Sequence, residues 1–459
     1  MNHTAASRLA TARAVEKSRT PVGAWCALVT LSTVTLYALI DGQVLALLAQ
    51  SLKTDLHLSD TQLGSLRGLG SVLFSAIAVV PLGWLADRLD RRLVLAACIL
   101  VWSIAVASCG LAAGYWSLLL CMAFLAAGEA GLSPVVYALI PELFPQRQRM
   151  TANFIFYATT ILGAGAGLAI VGAVIDHIGL VADWLPNWLW FREPWRRVFF
   201  VIALPGPFLA MATWLIRLNR QAPRARADAP GPTREEQPEI LGFLALHWKA
   251  VVGVFVPFGL ALLGAGAVFA WLPIILMREF AFSAGAVGAG LGASTTAGSI
   301  AGLVITAASA KYLTSKWGTV TPVRLPQFGF LMIGMLAPLY LVARSPTEMF
   351  LIAGAQTAAA TGSSSLLPTV VQNLAPTHLR GRVFAISTVI ATLFQVVSPL
   401  VVGLLSDHVF KKTGGLLLSS IVVGVPCLLL AAVTLRFAEK HILKTVDEVQ
   451  RSMQTPEVS

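Results

Sequence analysis

Charge is scarce in this chain. Only 12% of its 459 residues are Asp, Glu, Lys or Arg, and 56% are hydrophobic, whereas a soluble globular domain carries roughly 25% charged residues. That shortage excludes an ordinary soluble enzyme. No G-x-x-x-x-G-K-[ST] phosphate loop occurs, which argues against an ATP-driven pump. The five cysteines, Cys26, Cys98, Cys109, Cys121 and Cys427, fall inside apolar runs without metal-site or disulfide spacing. They read as packing residues, and neither a metal nor a cofactor is expected. All seven histidines lie outside the apolar runs or at their edges, which disfavours a histidine proton relay.

What the chain has instead is long apolar runs. One membrane span needs about 20 such residues. Runs lie at 22–50, 61–86, 93–113, 115–141, 151–175 and 197–216, and again at 249–275, 284–310, 326–343, 348–371, 383–406 and 413–435. These are spans 1 to 12. The fold class is therefore an all-α membrane protein with twelve transmembrane helices in two six-helix halves. Its divisions are an N-tail at 1–21, an N-terminal half at 22–216, a Pro-rich charged linker at 217–248, a C-terminal half at 249–435 and a C-tail at 436–459.

The net charge of +11 would suggest nucleic acid in a soluble chain, but here the cations punctuate the spans. Of 33 Lys and Arg, 24 fall on one side, eight on the other, and Arg67 alone lies within a span. The positive-inside rule then puts both termini in the cytoplasm. The N-tail has a charged head like a signal or transit peptide, yet span 1 is too long for a signal core and carries Asp41. A positive-inside anchor is the simpler reading. In the C-tail, Ile442, Val446, Val449 and Met453 share one helical face, which suits a helix lying on the inner membrane surface or a solvated tail helix. Trp184, Trp188, Trp190 and Trp195 on one outer connection read as an interfacial belt.

Two segments repeat. ELFPQRQR at 142–149 follows span 4 and NLAPTHLR at 373–380 follows span 10, so both halves carry x-L-x-P-x-x-x-R at the same place. Duplicated halves are how many transporters build a central site. Between spans 2 and 3 the chain reads GWLADRLDRR at 83–92, which resembles the signature loop of the major facilitator superfamily, departing at Asp90 where a glycine is usual. AAGEAGLSP at 126–134, LSDTQLGSL at 58–66 and LRGRVFAIS at 379–387 resemble its spinster-like branch. That branch usually has arginine where this chain has Gly42 and Met122. The resemblance implies a cytoplasmic gate of Asp87, Arg88, Arg91, Glu142, Arg149 and Arg380, with Asp87 facing the start of span 11 at 381–383 and Arg91 paired with Glu142.

Asp41 and Glu129 are acids deep inside spans, each costing about 3 kcal/mol if ionised at the membrane centre. Taking up a proton removes that cost, so both are candidate proton carriers; a hydrogen-bonded structural acid is the alternative for Glu129. Arg67 lies at a depth comparable to Asp41 and has three roles open: pairing with Asp41, snorkelling to the outer headgroups, or meeting an anionic substrate group. The second half offers only hydroxyls and amides at depth, among them Thr295, Thr296, Ser299, Gln356, Thr361, Gln395 and Ser398.

Such a cavity suits a polar head with an apolar tail. The resemblance implies a lysophospholipid or sphingoid phosphate, moved with protons by alternating access. The rival is a small organic anion such as a sugar acid, and a non-transporting receptor or scaffold is the reading from another class. No enzymatic activity and no nucleic-acid partner are expected. The expected partners are the amphipathic small molecule, protons and membrane lipids, with the chain acting as a monomer in a bacterial inner membrane.

Overall fold

The computed structural model describes residues 22–144, 146–179, 193–216, 237–376, 379–411 and 414–454. The N-tail, Trp184, Trp188, Trp190 and the linker before Gln237 lie outside them. Among the described residues every regular element is helical, and the helices form the twelve crossings that the apolar runs predict. Inner and outer below follow the cation bias of the loops.

The spans are less continuous than their hydropathy implies. Span 1 is Val22–Asp41 and Val44–Asp55, span 4 is Tyr115–Ala130 and Leu132–Leu143, span 7 is Trp248–Phe269 and Leu272–Glu279, and span 10 is Pro346–Ser364 and Leu367–Leu374. Counting in blocks of three, the first span of every block is broken, and span 6 is also divided, into Pro194–Ala203 and Pro205–Trp214. Pro273 and Pro368 open the second pieces of spans 7 and 10, where a missing N–H costs nothing. A broken helix frees backbone carbonyls near mid-membrane, part of the usual raw material of a transporter's binding site.

Span 2 departs differently. Between Asp60–Ser65 and Phe74–Arg88 it runs as a π-helix, Leu66–Leu73. The wider turn carries two glycines and re-aims the side chains around it. Gly64 and Gly68 lie against span 11 (Arg380–His408), so close that a Cβ on either would sit 2.2 Å from the carbonyls of Pro399 and Val396. Span 5 (Gln146–Asp176) uses its GAGAG run on two faces. A Cβ on Gly167 would lie 2.8 Å from the Leu39 carbonyl of span 1, and one on Gly165 would lie 2.4 Å from the Gly292 carbonyl of span 8 (Ala284–Trp317). Close backbone approach replaces the hydrophobic drive that is absent between helices in lipid.

One apolar cluster runs from the N-terminal half into the outer ends of the C-terminal half, through Trp271, Ile275, Leu291 and Val402. A second fills the inner part of the C-terminal half, around Val254, Phe330, Leu374 and Leu435. The outer seam between the halves is therefore packed as core.

Two expectations are corrected. The C-tail does not lie on the membrane surface: span 12 continues to Gln454 as one helix, Gly415–Gln454. Ile442 and Val446 are buried in the second cluster, against which Phe243 and Leu244 of the linker helix Gln237–Leu246 also pack. Trp195 is no belt residue either. It is buried, and its indole N–H donates to Asp55 at 2.7 Å, fixing span 6 to the outer end of span 1.

Candidate transport site

Asp41 and Glu129 occupy equivalent places. Asp41 ends the first piece of span 1, and Glu129 stands one residue before the end of the first piece of span 4. An ionised carboxylate there meets the negative end of a helix dipole as well as the membrane interior. Asp41 is 4% exposed, and its Oδ2 accepts from the Trp102 indole N–H of span 3 (Arg91–Cys109) at 2.7 Å. Tyr37 packs its ring on Trp102, with centroids 5.5 Å apart. Asp41, Trp102 and Tyr37 thus form one group, and Gly128 sets Glu129 beside the same tryptophan. Asp41 Oδ1, Glu129 Oε1 and the Tyr37 hydroxyl are buried without a hydrogen-bond partner among the described residues.

The glycines around Glu129 explain its placement. A Cβ on Gly128 would sit 2.7 Å from Trp102 Cβ and 2.9 Å from the Cys98 carbonyl, and one on Gly131 would sit 2.7 Å from Cys98 Sγ. The GEAG run thus lays span 4 directly on span 3, beside the indole that holds Asp41. Trp102 was not legible as a site residue, because tryptophan in an apolar run is ordinary.

Arg67 does not pair with Asp41. It stands in the π-helix of span 2 and donates across the seam to the Ala270 carbonyl at 2.7 Å, at the break of span 7. Asp41 faces span 3 within its own half. Equal depth does not set equal facing, and here the two side chains point to different neighbours. The positions where the branch usually has arginine also differ from each other. Gly42 is exposed and a Cβ there would make only ordinary contacts, whereas Met122 is buried, packed beside Gly70 of span 2.

The polar residues of the second half divide. Gln356 is fully buried, taking the Tyr340 hydroxyl and donating to the Ile333 carbonyl, and Ser398 ties span 11 to the Leu263 carbonyl of span 7. Those two are struts, not lining. Thr295, Thr296, Ser299 and Thr361 are half-buried, and Gln395 is exposed. An apolar pocket of about 200 Å³ lies between spans 8, 9 and 10, lined among others by Ile305, Phe328 and Met332.

On the inner side Arg91 donates to Glu142, joining spans 3 and 4. Arg88 lies over the Trp84 ring at 3.9 Å. Asp90, in place of the usual glycine, has φ −66°, and its carboxylate caps span 3 by accepting from the Arg92 N–H at 3.0 Å. The side chain of Asp87 lies outside the described residues. The repeated segments make the same local contact: Arg149 Nε donates to the Phe144 carbonyl at 3.1 Å, and Arg380 Nε donates to the Ala375 carbonyl at 3.2 Å. Phe144 and Ala375 are the residues on which the second pieces of spans 4 and 10 end. Each arginine therefore caps the helix before its loop.

Two matched six-helix halves, with broken helices around buried acids and a seam-crossing arginine, define a secondary transporter. The chain belongs to the major facilitator superfamily, whose family model matches residues 29–399. An MFS-type efflux pump of Mycolicibacterium smegmatis is 25% identical over 86% of this chain and 87% of its own length. Protein spinster homolog 3 of Mus musculus is 27% identical over 48% of this chain and 41% of its own length. In fold, the chain matches a bacterial homolog of the human lysosomal transporter Spinster, in an inward-facing and unoccupied conformation. The TM-score is 0.74 at 22% identity, covering 95% of this chain and 99% of that one.

Proposed function

We propose that this protein moves an amphipathic molecule of the lysophospholipid or sphingoid-phosphate class by alternating access, coupled to protons carried by Asp41 and Glu129. The observation that carries the reading is the pair of acids at broken helix ends, each with a buried oxygen lacking a partner among the described residues. Protonation makes such a pair cheap to hold in the membrane, and exposure to water on one side lets it discharge. Arg67 is the anchor for an anionic headgroup, which would compete with the Ala270 carbonyl for its N–H groups. The lipid class is what the spinster-like motifs imply, and the relative named as an MFS-type efflux pump makes export the first direction to test. We place the chain in a bacterial inner membrane as a monomer with both termini cytoplasmic, in keeping with its loop charges.

A second reading, a sugar-acid carrier, draws on a probable L-galactonate transporter of Escherichia coli, 26% identical over 40% of this chain and 37% of its own length. A polyanion would want more than one deep cation, and Arg67 is the one the sequence supplies within a span, which favours the amphiphile. The test is movement of a labelled lysophospholipid and a labelled sugar acid in proteoliposomes under an imposed pH gradient, with Glu129→Gln alongside. Gradient-driven lysolipid movement, reduced at least tenfold in the variant, is expected. Lysolipid movement that ignores both gradient and variant removes proton coupling, and sugar-acid movement alone removes the lipid reading.

A further inference from the structure

The pocket between spans 8, 9 and 10 has no part in the function proposed above. Span 8 and span 9 (Thr321–Leu336) both rest on span 10, and small residues set how closely. A Cβ on Gly302 would strike the Ala358 carbonyl, one on Gly329 would strike Ser363 Oγ, and one on Gly362 would strike Thr306 Oγ1. The floor between the two walls is therefore low and smooth, built from Ala358, Ala359 and Gly362. Ile305, Phe328 and Met332 at the rim are exposed, so the recess opens on the lipid side.

Its inner end is marked by charge. With roughly 3.6 residues per turn, Ile305, Ser309 and Lys316 fall on one face of span 8, and Lys316 stands about 16 Å nearer the inner end than Ile305. Lys311 lies about half a turn round from that face. Lys316 is exposed and in no ion pair among the described residues, and its ammonium lies over the Tyr312 ring at 4.5 Å. Trp317 stacks on Phe328 of the rim, with centroids 6.0 Å apart. Arg324 lies over the Trp317 ring at 5.7 Å and is held by Glu439 of span 12 at 2.7 Å. Indole and phenol rings prefer the headgroup level of a bilayer, and an exposed cation on the inner side attracts anionic lipid. An apolar slot that ends at Tyr312, Trp317 and an uncommitted ammonium thus matches one kind of molecule along its length.

We propose that this recess is a binding site for an anionic diacyl phospholipid of the inner leaflet, with one acyl chain on span 10 between spans 8 and 9 and the phosphate on Lys316. The recess, about 200 Å³, takes part of one chain, and the second chain stays in the bilayer. A phosphatidylcholine head carries its own cation and offers Lys316 no net charge. Gly362, Ser363 and Leu366 in the recess wall stand at the break of span 10, so the bound chain braces that break from the lipid side. The site involves neither Arg67 nor the two deep acids and does not rest on the reading of the cargo.

Native mass spectrometry of the delipidated full chain, titrated with phosphatidylglycerol or phosphatidylcholine, tests the site, with the thermal midpoint of each variant as the check on folding. One phosphatidylglycerol per chain should bind about fivefold more tightly than phosphatidylcholine, and Lys316→Gln should erase that preference. Lys311→Gln, on the same helix but off the recess face, should leave it intact. Ser309→Phe fills the slot and should remove the tight site for both lipids. Phosphatidylglycerol binding that is unchanged in Lys316→Gln would overturn the proposal, as would an equal loss in Lys311→Gln, which would mean attraction to a cationic surface at large. Arg67→Gln should bind phosphatidylglycerol as the unaltered chain does. A loss there and not in Lys316→Gln would put the lipid in the transport path, overturning this site while leaving the cargo reading standing.

Discussion

At the residue scale, what the sequence reveals is chemistry out of place. Asp41, Glu129 and Arg67 were legible because ionisable groups are expensive in a bilayer and therefore rare there. Their partners were not, because a partner depends on which way a helix face is turned. Arg67 meets the Ala270 carbonyl only because a π-helical stretch re-aims it and a break in span 7 frees that carbonyl. Two substitutions follow at this scale. Gly128→Val has no room beside Trp102 and should cost about 1–3 kcal/mol, read as a lower thermal midpoint with a weakened Trp102–Asp41 contact. Gly42→Arg meets only ordinary contacts at its Cβ, and the cost of about 3 kcal/mol for a cation at this depth is offset in part by the neighbouring Asp41 carboxylate. The variant should lower the dependence of transport on the pH gradient, because it sets a cation beside Asp41. An unchanged gradient dependence in well-folded Gly42→Arg protein would count against Asp41 as a carrier.

At the element scale, the apolar runs located every span but not its interior. Gly42, Gly131, Pro273 and Pro368 stand in or beside the breaks of spans 1, 4, 7 and 10, yet glycine and proline are frequent in membrane helices and their presence alone does not mark a break. What distinguishes these positions is their recurrence in the first span of each block, a pattern visible only once the blocks are aligned. The C-tail was misread for another reason. Its apolar face at Ile442, Val446 and Val449 has the period of a surface helix, but the surface it covers is protein: the linker helix and the inner core of the C-terminal half. Val446→Asp should undock that stretch at a cost of about 2 kcal/mol. The readout is faster tryptic cleavage at Lys440, Lys444 and Arg451, with no faster cleavage expected if the helix stands free.

For the whole molecule, twelve crossings in two halves follow from the alternation of apolar runs and charged punctuation, and the x-L-x-P-x-x-x-R pair announces the duplication. Its physical meaning emerges only in three dimensions, where Arg149 and Arg380 cap equivalent helix ends. Which seam is closed has no counterpart in hydropathy, which locates the spans but not how the two halves tilt against each other. At the outer side Gly172 lies on Ala284, Gly403 lies on Asp60, and Asp60 accepts from Lys53, Arg278 and Ser406 in one cluster across the seam. Arg278→Gln should loosen that cluster, leaving Asp60 with Lys53 and Ser406, and should speed opening of the outer side at low ionic strength more than at high.

The position of Arg67 also bears on membrane voltage. With the outer seam shut and the inner side open, the potential drop falls largely across the thin layer outside this guanidinium; with the seams exchanged, it falls inside. A fixed cation thereby passes from one compartment's potential to the other's without travelling, and a protonated acid pair offers no opposite charge to cancel it. Transfer of one unit charge is worth up to about 2.3 kcal/mol per 100 mV. An inside-negative potential should therefore hold the outer seam closed, and Arg67→Gln should make the distance between spin labels at the exposed positions Thr54 and Thr347 indifferent to an imposed potassium diffusion potential.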